Sequence, residues 1–154
     1  MELYLIRHAH AVDGEDDARR PLSSRGRKQI RALTEFLASS GALNPAEIWH
    51  SPLDRSRETA QLLVDGLELD AKLIEAPGLE PGDDPADIAA RLKKVREPLA
   101  IVGHEPHLST LATLLVGGKS SVPIFVVRKS TVIALEGIGS HWQVRWQLAP
   151  ELLA

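Results

Sequence analysis

Apolar residues along this chain alternate between short unbroken runs and longer stretches in which they recur every three or four positions. The runs Leu3–Ile6 and Leu99–Val102 are continuous, as is typical of strands buried on both faces of a parallel sheet. Two shorter strands are predicted at Glu47–His50 and Lys72–Glu75. Because polar segments separate these runs from the helical stretches, the pattern predicts strands and helices in alternation.

Four helices are predicted from the spacing of apolar residues and from capping residues at the helix starts. Serine followed by proline is a favourable start, because the hydroxyl can cap a free N–H group and proline lacks the N–H that the first turn leaves unpaired. The predicted helices run from Ser23 or Ser24 to about Ser39, from a Ser51 cap with Pro52 in the first helical position to about Val64, from Asp84 or Asp87 through Ile88, Leu92 and Val95, and from Leu108 to Val116.

The last part of the chain has a different pattern. Thr131–Leu135 and Trp142–Leu148 are strand-like and lie on either side of the turn Gly137-Ile138-Gly139-Ser140. This arrangement predicts a closing hairpin after the alternating strands and helices. The whole pattern therefore predicts a single α/β domain in which a mostly parallel sheet has helices on both faces.

Composition narrows the possible functions. At 154 residues, with 44% hydrophobic and 25% charged residues, the chain resembles one ordinary globular domain. A net charge of −3 with no evident basic face argues against general nucleic-acid binding. The absence of cysteine excludes disulfides, thiolate metal ligands and thiol catalysis. No apolar stretch approaches the roughly 20 residues that span a bilayer, and no signal-peptide core is evident, so a cytoplasmic protein without membrane contact is expected.

Candidate chemistry follows three of the predicted strands. Arg7 and His8 come directly after the first strand, Arg55 lies in the first turn of the helix after the second, and His104 follows Leu99–Val102. In a parallel α/β sheet such positions converge on one crevice at the carboxyl edge. Two arginines with two histidines near a helix N-terminus favour a dianionic tetrahedral ligand, most simply phosphate, which an imidazole can attack.

Other interpretations of these residues remain open. Each residue taken singly is compatible with a solvated arginine or a hydrogen-bonded loop histidine. His8 with His10 and His104 with His107 could instead be ligand pairs of a metal-dependent hydrolase. Catalytic metal sites usually add carboxylates and do not place arginines among the ligands, so no metal and no cofactor are expected. A non-catalytic phosphate-binding module is the remaining alternative.

Five short motifs are spread over nearly the whole chain. They are Leu5–Ala9, Arg20–Ser23 with Gly26, Ser51–Arg55 with Glu58–Ala60, Val102–Pro106 and Trp146–Pro150. Together they resemble the motifs of the histidine phosphatase superfamily, and within it those of the small SixA-type phosphohistidine phosphatases. The resemblance implies one histidine phosphatase domain over residues 1–154, with a phosphoglycerate-mutase-like fold and no large lid insertion.

The resemblance also implies roles for individual residues. His8 would be the nucleophile that becomes phosphorylated, Arg7, Arg55 and His104 would hold the phosphoryl group, and Arg20 would add a contact at the pocket rim. The superfamily usually has glycine after the motif histidine, where this chain has Ala9. Alanine costs little there unless the position needs a positive φ.

Elementary chemistry agrees with these roles. Arg7 and Arg55 disfavour a further positive charge on His8, which keeps the attacking nitrogen unprotonated. A protonated His104 would add a hydrogen-bond donor. By resemblance to larger superfamily members, Glu80, or else Asp83 or Asp84, is a candidate general acid, although a solvated acidic loop explains these residues equally well.

The predicted loops bear on the substrate. The segment Glu75–Ala86 is a Pro/Gly-rich loop too short for a helical lid, which suits a phosphorylated side chain presented by another protein. Imidazole leaves more readily than an alkoxide, so a phosphohistidine could be cleaved with little help from an acid. We therefore expect a monomeric phosphatase whose partner is a phosphohistidine-containing protein, with a small phosphomonoester as the alternative substrate.

Overall fold

Strands and helices alternate along the chain, as the apolar pattern predicts. A computed structural model describes residues 1–119, 122–138 and 141–153. Two short 3-10 turns lie at Asp17–Arg19 and Pro150–Leu152. The regular elements are β1 (Glu2–Arg7), α1 (Ser24–Ala38), β2 (Glu47–His50), α2 (Asp54–Leu67), β3 (Lys72–Glu75), α3 (Pro85–Leu92), β4 (Leu99–Gly103), α4 (His107–Gly117), β5 (Val132–Ile138) and β6 (His141–Leu148).

The strands form one mixed sheet in the order β3-β2-β4-β1-β5-β6. Strands β3, β2, β4 and β1 are parallel to one another, whereas β5 is antiparallel to β1 and β6 is antiparallel to β5. Arg7 at the end of β1 lies opposite Gly103 at the end of β4. The carboxyl ends of these two central strands therefore meet at one edge of the sheet, and the predicted α/β fold is confirmed.

Two apolar layers cover the sheet. Leu3 and Leu5 of β1 pack with the apolar residues of α3 and α4, while Tyr4 and Ile6 pack with those of α1 and α2. Successive side chains of a strand point to opposite faces, so a strand covered on both sides needs apolar residues at every position. This explains the unbroken run that marks β1 in the sequence.

The predicted start of α2 is wrong by two residues. The helix begins at Asp54, and its N-cap residue, Leu53, has no side chain that can cap it. Ser51 lies before the helix, and its hydroxyl accepts the Leu53 N–H at 3.3 Å while also bonding to His104. The serine and Pro52 that resemble a helix start therefore belong to the connection between β2 and α2.

The other helix predictions hold to within a few residues. Ser23 caps α1 by accepting the Gly26 N–H, and Asp84 caps α3 by accepting the Ala86 N–H. Helix α3 ends at Leu92, so Val95 lies beyond it. Within the described residues, no helix is long and apolar enough to cross a membrane.

The predicted hairpin at the end of the chain is present as β5 and β6. Gly137 and Ile138, predicted as turn residues, belong to β5. Gly139 and Ser140 of the same predicted turn lie outside the described residues. Because β5 pairs antiparallel with β1, the residues just before β5 lie at the edge where β1 ends.

Candidate active site

The residues predicted from the three strand ends meet at one cavity of about 220 Å³ at this edge. All four core candidates line it, together with Arg20, which was predicted for the rim. Its complete lining is Arg7, His8, Arg20, Arg55, Pro81, His104, Glu105 and Lys129. We call it the reaction cavity. The convergence that the sequence predicts is therefore present in the structure.

One ring nitrogen of His8 is hydrogen-bonded to the backbone. The side chain is buried, the backbone N–H of His8 donates to the Gly103 carbonyl at 3.0 Å, and the ring Nδ1 lies 2.7 Å from the Ala9 carbonyl. A carbonyl only accepts, so Nδ1 carries the proton and donates it. In the neutral ring Nε2 is consequently unprotonated, which is the state that a nucleophile requires.

The surroundings of His8 also keep its ring uncharged. Burial is the largest influence and, with the nearby charges of Arg55, Arg7 and Lys129, it lowers the pKa of His8 to about 4. The hydrogen bond to Ala9 opposes this lowering only in part. At neutral pH the imidazole is therefore free to act through Nε2.

His104 lies beside His8, with the ring centroids 5.0 Å apart and the ring planes at 50°. Its Nε2 lies 2.6 Å from the Ser51 hydroxyl oxygen, which already accepts the Leu53 N–H. Of the partners that the described residues offer this hydroxyl, only His104 Nε2 can accept its proton. The bonding pattern therefore assigns the proton of His104 to Nδ1.

The resulting Nδ1–H of His104 is a buried donor with no hydrogen-bond partner among the described residues. Burial, followed by the proximity of His8 and Arg55, lowers the pKa of His104 to about 3. The ring is therefore neutral at neutral pH in the unliganded protein, because two imidazoles and an arginine share a desolvated space. The neutral ring still has one N–H to offer to an oxygen atom.

Arg55 is fixed by an aspartate from the loop after β1. Its Nη1 donates to the Asp17 carbonyl at 2.8 Å and its Nη2 to the Asp17 carboxylate at 3.3 Å. The second carboxylate oxygen accepts from Nη1 of Arg20 at 2.9 Å. These hydrogen bonds to Arg20 and Arg55 lower the pKa of Asp17. An ionised carboxylate thus engages both rim arginines in the unliganded state.

One buried guanidinium nitrogen of Arg7 makes no hydrogen bond to the described residues. Its Nη1 donates to the Val127 carbonyl at 3.0 Å, and its backbone N–H donates to the Thr131 carbonyl at 3.1 Å. Its buried Nε has no hydrogen-bond partner among the described residues. A buried charged donor without an acceptor is costly, so this nitrogen is suited to binding an anionic oxygen.

Lys129 is a residue of the reaction cavity that the sequence analysis missed. It precedes β5, and the N–H of the next residue, Ser130, donates to the carbonyls of Arg7 at 3.0 Å and His8 at 3.3 Å. Burial, and then the charges of Arg7 and two further arginines, lowers the pKa of Lys129. The predicted hairpin was the available signal, because an antiparallel neighbour of β1 must start where β1 ends.

The sequence itself matches a known family. The family model of the histidine phosphatase superfamily (branch 1) matches residues 3–94. The chain belongs to the histidine phosphatase superfamily. Comparison of the sequence with curated proteins gives no significant match.

Solved structures with the same fold include several phosphatases. The protein histidine phosphatase SixA complexed with tungstate has a TM-score of 0.88, 23% identity and 100% coverage of both chains. The α-ribazole phosphatase of Shigella flexneri has a TM-score of 0.78 and 19% identity, with 97% of both chains covered. The phosphoserine phosphatase of Entamoeba histolytica in complex with 3-phosphoglyceric acid has a TM-score of 0.70 and 18% identity, with 99% of both chains covered. At these identities the likeness concerns the fold.

This member of the histidine phosphatase superfamily tolerates alanine after the motif histidine. Ala9 is fully buried, and its N–H donates to the Thr59 hydroxyl of α2 at 3.0 Å. Among the described non-glycine residues, only Glu68 and Ser130 have positive φ. The backbone at Ala9 therefore does not need glycine, and the substitution introduces no strain.

The acidic candidates of the sequence analysis are not part of the cavity lining, which takes Pro81 from their segment. Glu80 is exposed, and its N–H donates to the Asp83 carboxylate at 2.9 Å. Asp84 caps α3. The carboxylate that does reach the lining belongs to Glu105, which accepts the Ser109 N–H of α4 at 2.7 Å.

The histidine pairs of the metal-dependent alternative have other surroundings. His10 Nδ1 lies 2.6 Å from the Ser23 hydroxyl oxygen, and His107 is buried at the start of α4. In the ranges that the structure describes, no three His, Cys, Asp or Glu side chains are grouped so that they could hold a metal ion.

Proposed function

We propose that this chain is a phosphatase that removes phosphate from phosphohistidine in a partner protein, through a covalent phosphohistidine on His8 and without a metal or other cofactor. Residues 1–154 would form one catalytic domain. The observation that carries the proposal is the state of His8: Nδ1 is bonded to the Ala9 carbonyl and the pKa is about 4, so an unprotonated Nε2 adjoins a cation-lined cavity.

The proposed reaction has two steps. The lone pair of His8 Nε2 attacks the phosphorus, the P–N bond to the substrate imidazole breaks, and the leaving nitrogen takes a proton from water. Water then attacks the phosphorus of phospho-His8, the P–Nε2 bond breaks and its electron pair returns to Nε2. The hydroxide left by the first step takes the proton released by the attacking water, and inorganic phosphate leaves. Both steps place negative charge on the equatorial phosphoryl oxygens, which oriented cations stabilise most strongly.

Specific donors are available for these oxygens. The Nε–H of Arg7 and the Nδ1–H of His104 are buried and have no partners among the described residues. Arg55 and Arg20 would add further N–H groups at the rim, since each guanidinium has five and only some are used by Asp17 and the backbone. The arrangement supports phosphoryl binding by protein groups alone.

The lining of the reaction cavity has few acids that could protonate a leaving group. Glu105 is already bonded to the start of α4, and Glu80 lies outside the lining. An imidazole leaving group needs little protonation, whereas an alkoxide would require an acid such as Glu80 to reach the cavity. Residues 76–84 connect β3 to α3 without a helix, which supports a substrate side chain presented by another protein.

The test is to trap phosphate on His8. Wild-type protein is incubated with a labelled phosphohistidine peptide or phosphoramidate, quenched in alkaline detergent to protect the acid-labile P–N bond, and mapped by mass spectrometry. We expect the label on His8, and loss of both label and turnover in His8→Asn. The matched control is His141→Gln, an exposed histidine on β6, which should retain both. Near-normal turnover in His8→Asn would contradict the covalent mechanism.

A small phosphomonoester is the second candidate substrate, because the fold is shared with an α-ribazole phosphatase and a phosphoserine phosphatase. A panel of phosphoramidate, phosphohistidine peptide, phosphoserine, phosphotyrosine and sugar phosphates distinguishes the two. We expect the P–N substrates to be cleaved fastest and EDTA to have no effect. The variants Glu80→Gln, Asp83→Asn and Asp84→Asn should spare P–N cleavage while depressing ester cleavage. A phosphomonoester that wins by a wide margin would replace the substrate assignment and leave the His8 mechanism standing.

A further inference from the structure

A second cavity of about 290 Å³ adjoins the reaction cavity and shares Arg7 and Lys129 with it. We call it the side cavity. His10, Arg25, Gln29 and Arg128 also line it. The reaction proposed above uses none of these additional residues. Their arrangement shows what this second space can bind.

The side cavity is held by a defined set of contacts. The Gln29 side-chain carbonyl accepts the His10 N–H at 3.2 Å and the Ser130 hydroxyl at 3.4 Å. It thereby joins the segment after β1 to the segment before β5. A Cβ at Gly26 would lie 2.1 Å from the His10 carbonyl oxygen, so only glycine allows the first turn of α1 to pack this closely. Arg25, the preceding residue, is therefore held at the cavity by the backbone.

Positive charge dominates the lining. One carboxylate, that of Glu151, lies in it and pairs with Arg128 at 3.4 Å. Among the described residues, no ion pair within 4 Å involves Arg25 or Lys129. The whole chain carries a net charge of −3, so this concentration of cations is local. Several cations close together attract an anion more strongly than a single cation does.

We propose that the side cavity is a subsite for a second anionic group of the substrate, a carboxylate or a phosphate near the phosphoryl group that is transferred. The inference rests on the proposed function, because it describes a substrate of the reaction cavity. Because Arg7 and Lys129 line both cavities, the two spaces are neighbours, and the proposal places one substrate molecule across them. For a phosphohistidine-bearing polypeptide, the second group is an Asp or Glu side chain close to the phosphohistidine.

The experiment compares phosphohistidine peptides that carry Glu at one of the neighbouring positions with peptides that carry Gln there. We expect a higher kcat/KM for the acidic peptides, expressed mainly in KM, and a loss of this preference at high salt. Arg25→Gln should weaken the preference by about fivefold, the scale of one favourable ion pair. The control is Arg31→Gln, which removes an exposed arginine from the same helix outside both cavity linings.

A small phosphoramidate separates this inference from the proposed function, because it carries no second anionic group for the side cavity to bind. Its cleavage should be the same in wild type and Arg25→Gln. If wild type does not cleave it, the proposed function fails, and binding of the same Glu and Gln peptides carrying a non-hydrolysable phosphonate still tests the subsite. A small bisphosphate that responds to Arg25→Gln where the peptides do not would identify the second group as a phosphate. No response from either ligand class would overturn the subsite.

Discussion

The two histidines of the reaction cavity and the two arginines on its rim are held by different kinds of contact. His8 and His104 are buried and are fixed by the Ala9 carbonyl and the Ser51 hydroxyl, which belong to segments directly after β1 and β2. Arg55 and Arg20 are held together by Asp17, whose side chain is 65% exposed. Arg55 is itself buried, so the two pairs differ in the groups that hold them: the histidines are fixed by buried neighbours, and the arginines by a solvent-exposed carboxylate.

This difference separates two requirements of phosphoryl transfer. The nucleophile must be uncharged and correctly oriented before any ligand arrives, which burial and a backbone hydrogen bond provide. The arginines must exchange their present anion for the phosphoryl group. Asp17 occupies them in the unliganded protein, so it orders the rim and also competes with the ligand there.

The largest expected effect concerns the protonation of His8. Nitrogen-15 NMR should show Nε2 unprotonated at neutral pH, with titration near pH 4 instead of the ordinary 6.5, roughly a 300-fold weaker affinity for the proton. The same ring should titrate normally in denaturant. Between these pH values the His8 ring is protonated in the unfolded chain and neutral in the folded protein. The free energy of unfolding should therefore fall as pH decreases from about 6.5 towards 4. Titration near 6.5 in the native state would show that packing does not control the histidine pair.

Removal of an arginine should lower activity less than the loss of His8 does, and more than the removal of the Ser51 hydroxyl that holds His104. We expect Arg7→Ala and Arg55→Ala each to lower kcat/KM by about a hundredfold, the scale of one oriented donor to a developing anion. His104→Ala should behave similarly. Inhibition by phosphate or vanadate should weaken in parallel in the arginine variants.

The control for these variants is Arg57→Ala, which removes a half-exposed arginine of α2 that pairs with Asp54. It should retain nearly full activity. If Arg55→Ala lost no more than Arg57→Ala, the arginine rim would have no part in holding the phosphoryl group.

Ser51→Ala tests whether the tautomer of His104 that Ser51 fixes contributes to kcat. Without the hydroxyl, either ring nitrogen can carry the proton, and we expect kcat to fall by about tenfold with a smaller change in KM. Nitrogen-15 NMR of His104 should show a shift from the Nδ1–H form to a mixture. An unchanged tautomer together with unchanged kcat would remove Ser51 from the account of the site.

Asp17→Asn should have the smallest effect, and in the opposite direction. The amide can still accept from the guanidinium groups but no longer competes as an anion, so inhibition by phosphate should tighten by about threefold. Asp16→Asn is the control, because Asp16 caps the same 3-10 turn and pairs only weakly with exposed Arg19. Weaker inhibition by phosphate in Asp17→Asn would show that the carboxylate orders the rim without competing.

The same division governs what the sequence could predict. His8 and His104 follow unbroken apolar runs, and Arg55 follows a shorter predicted strand at the start of the next helix, so their convergence was predicted from parallel topology. Asp17 lies in a polar loop without periodicity, where nothing local predicts its partners. Ser51 was assigned to a helix cap because serine before proline and an acid resembles one, and its bond to His104 depends on a contact between residues far apart in the chain.

The position of Lys129 has a consequence for the order of events during synthesis. His8, the proposed nucleophile, leaves the ribosome before Lys129, because this wall of the cavity stands immediately before β5, more than a hundred residues later in the chain. Chains emerge at about 5–20 residues per second, so His8 exists for several seconds without that wall. A nascent chain that ends before β5 would carry His8 but not the completed cavity. Under the proposed function, dephosphorylation would therefore begin only once the antiparallel strand had joined the sheet.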